Sequence, residues 1–127
     1  MTALLDASAL LALINVEPGA DQVEKVLADV AISTINAAEV ASKLNEFGWS
    51  PDEFAPLFHH LRLDILSFDL DTALASGQLR STTNKLGLSL GDRAYIATGL
   101  STHYRILTAD KSWHQLKIRG ISIKRIR

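Results

Sequence analysis

Short apolar runs alternate with longer stretches of helical period along this chain. Ala3-Leu4-Leu5, Val30-Ala31-Ile32-Ser33-Thr34, Ile65 to Phe68, Ile106-Leu107-Thr108 and Ile121-Ser122-Ile123 are too short for helices and read as buried strands. Between them lie segments whose apolar residues recur every three or four positions. Ser8 to Asn15 is the first helix, ended by Glu17-Pro18-Gly19, and Asp21 to Leu27 is a second, with Val23, Val26 and Leu27 on one side. Asn36 to Phe47 places Val40, Leu44 and Phe47 at core spacing and stops at Gly48. Ser50-Pro51-Asp52-Glu53 is a helix start with a capping box, and that helix runs to about Leu61. Asp71 is expected to cap a helix that reaches Asn84, followed by helices over Leu90 to Thr102 and Lys111 to Lys117. Strands alternating with helices predict an α/β fold: a parallel sheet covered on both faces.

Composition narrows the class. A chain of 127 residues is enough for one domain, and one of this size buries roughly 65–70% of its unfolded surface, so it can hold a core without staples. The absence of cysteine excludes disulfides, thiolate metal sites and cysteine nucleophiles, and fits a reducing cytoplasm. The apolar run Ser8 to Val16 lacks the basic start and cleavage site of a signal peptide, and no stretch approaches a membrane span. The expectation is a soluble cytoplasmic protein. The net charge of −1 excludes a polycation, but Lys111, Lys117, Arg119, Lys124, Arg125 and Arg127 crowd the last segment without an acid among them. Such a strip is either a solvated tail or a phosphate-facing surface.

The candidate chemistry lies in four acids. Asp6 follows the first strand, Asp110 follows Ile106-Leu107-Thr108-Ala109, Glu39 sits early in the helix after the second strand, and Asp92 opens a helix. In a parallel sheet these ends face one way, and ligands bind there. Clustered carboxylates repel by about 1–4 kcal/mol per close pair, and a divalent cation relieves this; hard oxygen donors favour Mg²⁺ or Mn²⁺. Each acid also fits an ordinary role: Asp6 and Asp110 as helix caps, Glu39 as an ion-pair partner of Lys43, Asp92 as a first-turn acid. Asp69 also follows a strand, so position alone does not single out the four. His59, His60, His103 and His114 have no zinc-like spacing, and Trp49 and Trp113 read as packing residues rather than base-stacking ones.

The local wording goes further. Leu4-Leu5-Asp6-Ala7-Ser8-Ala9-Leu10, Ile32-Ser33-Thr34-Ile35-Asn36-Ala37-Ala38-Glu39-Val40, Leu88-Ser89-Leu90-Gly91-Asp92-Arg93-Ala94 and Ile106-Leu107-Thr108-Ala109-Asp110-Lys111-Ser112-Trp113 resemble, in order, the four acidic segments of PIN-domain nucleases. The Gly-Asp-Arg and Thr-Ala-Asp-Lys-Ser-Trp words resemble the VapC branch, the toxins of type II toxin–antitoxin pairs. None of the four family acids is replaced.

That resemblance implies a single PIN domain over residues 1–127, a three-layer α/β/α sandwich on a five-stranded parallel sheet of order 3-2-1-4-5. In that order Asp69 falls at the far edge and becomes a surface or capping acid. The resemblance further implies a Mg²⁺- or Mn²⁺-dependent endoribonuclease, with Asp6, Glu39, Asp92 and Asp110 as catalytic and metal-holding residues. Water would be the nucleophile, and the products would carry 5′-phosphate and 3′-hydroxyl ends. Ser8, Asn36 and Thr108 would orient carboxylates or waters, and Arg93 and Lys111 would meet substrate phosphate. Expected partners are an RNA substrate such as tRNA, a VapB-type antitoxin, a second copy in a homodimer, and operator DNA only through the antitoxin. Two alternatives stay open: a PIN nuclease of RNA processing without an antitoxin, and a non-catalytic α/β module such as a receiver-like domain. The second leaves Glu39 and Asp92 without a role.

Overall fold

The computed structural model describes residues 2–127, with the side chain of His114 outside that description. The elements run β1 (Ala3–Leu5), α1 (Ala7–Ile14), α2 (Ala20–Glu24), β2 (Val30–Ser33), α3 (Thr34–Glu46), α4 (Pro51–Leu61), β3 (Asp64–Leu66), α5 (Leu70–Thr83), α6 (Leu90–Thr102), β4 (Arg105–Thr108) and β5 (Ile123–Arg125). Short 3₁₀ turns fill Leu27–Asp29, Asn84–Leu86 and Lys111–Gln115. The five strands form one sheet of order β3-β2-β1-β4-β5, every pairing parallel. Among the described residues no helix is long and apolar enough to cross a membrane.

Alternation along the strands divides the core in two. Ala3, Leu5, Ile32 and Leu107 pack with Ala9, Leu10, Val40 and Leu44 from α1 and α3. Leu4, Ala31 and Ile106 face the other way, against Tyr95, Ile96 and Trp113. Helix α6 is buried without a break from Arg93 to Gly99, because the sheet lies beneath it and α5 packs against it. Gly99 permits the close approach to β4: a Cβ there would stand 2.7 Å from Ile106 Cγ2.

Several boundaries differ from the sequence reading. Asp69, not Asp71, caps α5: its backbone is extended and its carboxylate accepts from Thr72 N at 2.8 Å. β3 starts one residue earlier than expected and ends at Leu66, and Phe68 N instead donates to Thr34 Oγ1. β5 is Ile123–Arg125 rather than Ile121–Ile123, because its register with Ile106–Thr108 is set by pairing and not by apolar content. The helix expected over Lys111–Lys117 is a 3₁₀ turn, and α2 is shorter than the pattern suggested. Phe47, expected in the core, is 62% exposed. Gly48 at φ +93° turns the chain, and Trp49 N donates to Leu44 O. Trp49 thereby packs on the core in place of Phe47.

The parallel sheet sends the ends of β1, β2 and β4 to one edge. β1 is the first strand and lies centrally, with the chain going one way to β2 and β3 and the other way to β4 and β5. The crevice at this switch point is where such sheets bind ligands. β3 and β5 are the outer strands, and Lys124 and Arg125 give the β5 edge charges that discourage pairing with another sheet.

Candidate metal centre

Asp6 is the first residue past β1 and is only 6% exposed. Its Oδ1 accepts from Ala9 N at 2.8 Å, which caps α1, and from Ser8 Oγ at 2.7 Å. Its Oδ2 accepts from Thr108 Oγ1 at 2.7 Å, across the seam between β1 and β4. Ser8 Oγ in turn accepts from Ala109 N, and Thr108 Oγ1 from Asp110 N. The expected supporting residues Ser8, in the first turn of α1, and Thr108, at the end of β4, therefore grip this carboxylate from two elements. Despite these donors, burial pushes the Asp6 carboxyl up to about 6, and the charge of Asp92 adds to the rise.

Glu39 rises from α3, half-buried, and its Oε1 accepts from Asn36 Nδ2 at 2.6 Å. The bland pairing with Lys43 does not form; Lys43 reaches Glu46 instead at 3.4 Å. Burial raises the Glu39 carboxyl above its usual value, and Asp92 again contributes. Asp92 lies in the first turn of α6. Its Oδ2 accepts from Ser89 N at 3.1 Å while Asp92 N donates to Ser89 Oγ, a reciprocal cap. Asp110 is exposed and caps the 3₁₀ turn, accepting from Ser112 N and Ser112 Oγ. The ordinary capping roles and the cavity are thus compatible: three of the four acids are caps that also face one space.

That space is a cavity of about 400 Å³ lined by Asp6, Ala7, Ser8, Leu11, Glu39, Ser42, Lys43, Asp92 and Asp110. Asp69 does not line it; it is exposed at the start of α5, and its hydrogen bonds to Thr72 hold its carboxyl below the usual value. Arg93 is not among the lining residues either; it is 8% exposed within the buried run of α6. Lys111 is exposed beside Asp110 but does not line the cavity. The basic lining residue is Lys43, which sequence reasoning cast only as a partner for Glu39. Its spacing, one turn past Glu39 on the same helix face, was the available signal. His59, His60 and His103 are exposed, and Trp113 is buried beside Tyr95 with ring centroids 5.7 Å apart.

The donor set suits a hard divalent cation: carboxylate and hydroxyl oxygens without thiolate or imidazole at the lining. Asn36 Oδ1 is buried with no hydrogen-bond partner, an oxygen acceptor left over beside Glu39. Among the described residues no three acids are drawn together tightly enough to cage an ion by themselves. Mg²⁺ keeps several of its waters and needs only one or two direct carboxylates.

Comparison with known proteins agrees with the fold. Residues 3–118 match the PIN domain model, and the chain belongs to the PIN-domain family, a family of nucleases. The fold is similar to that of the DNA-bound VapBC complex of Salmonella typhimurium, at 19% identity and a TM-score of 0.74, covering 100% of this chain and 99% of that one. A toxin–antitoxin complex from Klebsiella pneumoniae matches at 24% identity and a TM-score of 0.72, over 94% and 95% of the two chains. VapBC-1 from nontypeable Haemophilus influenzae matches at 20% identity and 0.73, over 99% and 98%. No curated protein matches the sequence.

Proposed function

We propose that this protein is a Mg²⁺- or Mn²⁺-dependent endoribonuclease and the toxin of a VapBC-type pair. The observation that carries the catalytic part is the meeting of Asp6, Glu39, Asp92 and Asp110, from four separate segments, around one cavity at the switch point of a PIN-family sheet. Asp6, Glu39 and Asp92 would hold the cation, directly or through water, with Asp110 at the rim. A bound divalent ion supplies charge neutralisation at phosphorus and eases proton loss from water. Ser8 and Thr108 keep both oxygens of Asp6 oriented, and Asn36 does the same for Glu39. Lys43, at the mouth, provides a positive charge for a substrate phosphate next to the acids. The whole chain is read as one domain.

The test is cleavage of RNA in Mg²⁺ or Mn²⁺ by the wild type and by D6N and D92N. Both variants should lose activity by about a hundredfold or more. Undiminished cleavage by either folded, contaminant-free variant overturns the site.

The toxin role is supported by the structural neighbours, which are toxin–antitoxin complexes, some bound to DNA. The partner would be a VapB-type antitoxin, and contact with operator DNA would run through it. A homodimer is part of this reading: Leu70 and Leu74, one turn apart on α5, are 71% and 61% exposed and form an apolar stripe a second copy could cover. Induction should arrest growth, and co-expression of a small neighbouring reading frame should relieve it. Growth that continues while active enzyme accumulates would favour the RNA-processing nuclease instead.

A further inference from the structure

A methyl group at Gly91 would displace the Glu39 carboxylate. A Cβ built there would lie 2.6 Å from Glu39 Cδ and 2.9 Å from Oε1, with Oε2 nearer still. Unstrained carbon contacts lie at roughly 3.5–4.0 Å, so the carboxylate would have to retreat by roughly 1 Å. Backbone conformation does not require glycine here. Gly91 is the second residue of α6 and lies outside the left-handed region, in contrast to Gly19, Gly48, Gly87 and Gly120. At a right-handed helical position alanine is accommodated as readily as glycine, so the backbone alone does not select glycine here.

What the missing side chain provides is room. Glu39 belongs to α3, and its carboxylate lies against the first turn of α6, next to Asp92. Asn36 Nδ2 also holds Oε1 at 2.6 Å. The carboxylate is therefore in contact with both an amide on its own helix and the bare Cα of Gly91.

We propose that Gly91 is a positioning residue: its lack of a side chain forms the seat that brings the Glu39 carboxylate beside Asp92. The functional consequence, a dependence of cation affinity on that seat, rests on the reading of the cavity as a divalent-cation centre.

The experiment uses the full chain with G91A, E39A and the double variant. Three quantities are measured: urea stability, the side-chain amide resonances of Asn36, and Mn²⁺ affinity by titration calorimetry. G91A should be as stable as the wild type or more so. Its Asn36 amide signals should move, because the oxygen they donate to has moved. Its Mn²⁺ affinity should fall by about tenfold or more. In the E39A background the added methyl has nothing to displace, so E39A and the double variant should bind Mn²⁺ alike.

The seat is overturned if folded G91A leaves the Asn36 signals in place and keeps Mn²⁺ affinity within about twofold of the wild type. It is also overturned if the methyl weakens Mn²⁺ binding equally with and without the Glu39 carboxylate. Wild-type protein that binds no Mn²⁺, with Asn36 signals that still respond to G91A, upholds the seat and removes the cation reading.

Discussion

Asp6 carries opposed demands in one side chain. It caps α1, joins β1 to β4 through Thr108, and is nearly fully buried beside another acid. An unfolded chain ionises this group near 3.8, whereas the folded chain does so at about 6. Well below pH 3.8 both states are protonated and burial has no electrostatic cost. Between those values the folded state keeps a proton that the unfolded state has lost, so stability falls as pH rises. Above pH 6 the full cost, about 3 kcal/mol, is present. D6N should therefore be more stable than the wild type in chelator at pH 7, with the gain fading as pH falls below 3.8. Urea denaturation on both sides of that value checks this; equal or lower stability of D6N at pH 7 would contradict it. T108V should act in the opposite sense on stability. Loss of its hydroxyl leaves Asp6 Oδ2 and Asp110 N short of a partner, costing about 1–3 kcal/mol, and should lower Mn²⁺ affinity by about ten- to a hundredfold. A T108V protein with wild-type Mn²⁺ affinity would show that Thr108 serves the fold alone.

At the scale of elements, the seam between β1 and β4 is tied from beneath by α6. The Tyr95 hydroxyl accepts from Leu107 N at 2.8 Å and lies within hydrogen-bond reach of the carbonyls of Leu107 and Leu4, to one of which it donates. Leu4 lies two residues before Asp6, and Leu107 directly precedes Thr108. Burial raises the Tyr95 hydroxyl well above its usual value, so it stays protonated and able to donate. Y95F should cost about 1–2 kcal/mol and speed hydrogen exchange at the Leu107 amide more than at other β4 amides. A uniform acceleration would mean that Tyr95 acts through packing only. Element boundaries were the least legible part of the sequence. The shift of β5 toward Arg125 and the exposure of Phe47 both arise from pairing and turn geometry that hydrophobic content does not encode. The cap of α5 shows the same limit: Asp69 and Asp71 are equally good capping residues, and only the extended backbone at Asp69 decides between them.

For the molecule as a whole, the apolar stripe of Leu70 and Leu74 has an assembly consequence. Sedimentation at micromolar concentration should find a dimer, and L74E should shift it toward monomer without loss of fold. A wild-type protein that sediments as a monomer, with no effect of L74E, would remove the homodimer. The cation should stabilise the folded chain by mass action, so Mg²⁺ should raise the wild-type melting temperature and do so much less for a D6N/D92N variant. Equal shifts in both would place the bound ion elsewhere.

The order of apolar runs and helical stretches was sufficient for a parallel α/β chain, because strand and helix periods are local properties of the sequence. The wording around the four acids pointed to their family and to the strand order, which no local pattern contains. Tertiary structure decided which polar groups share the cavity. It buried Arg93, brought Lys43 to the mouth, and left Asp69 exposed at the start of α5. It also set Gly91 against Glu39 across two helices more than fifty positions apart in the chain. The physical reason is that burial and close contact belong to pairs of elements. A residue's own segment records its spacing, not what the other segment leaves room for.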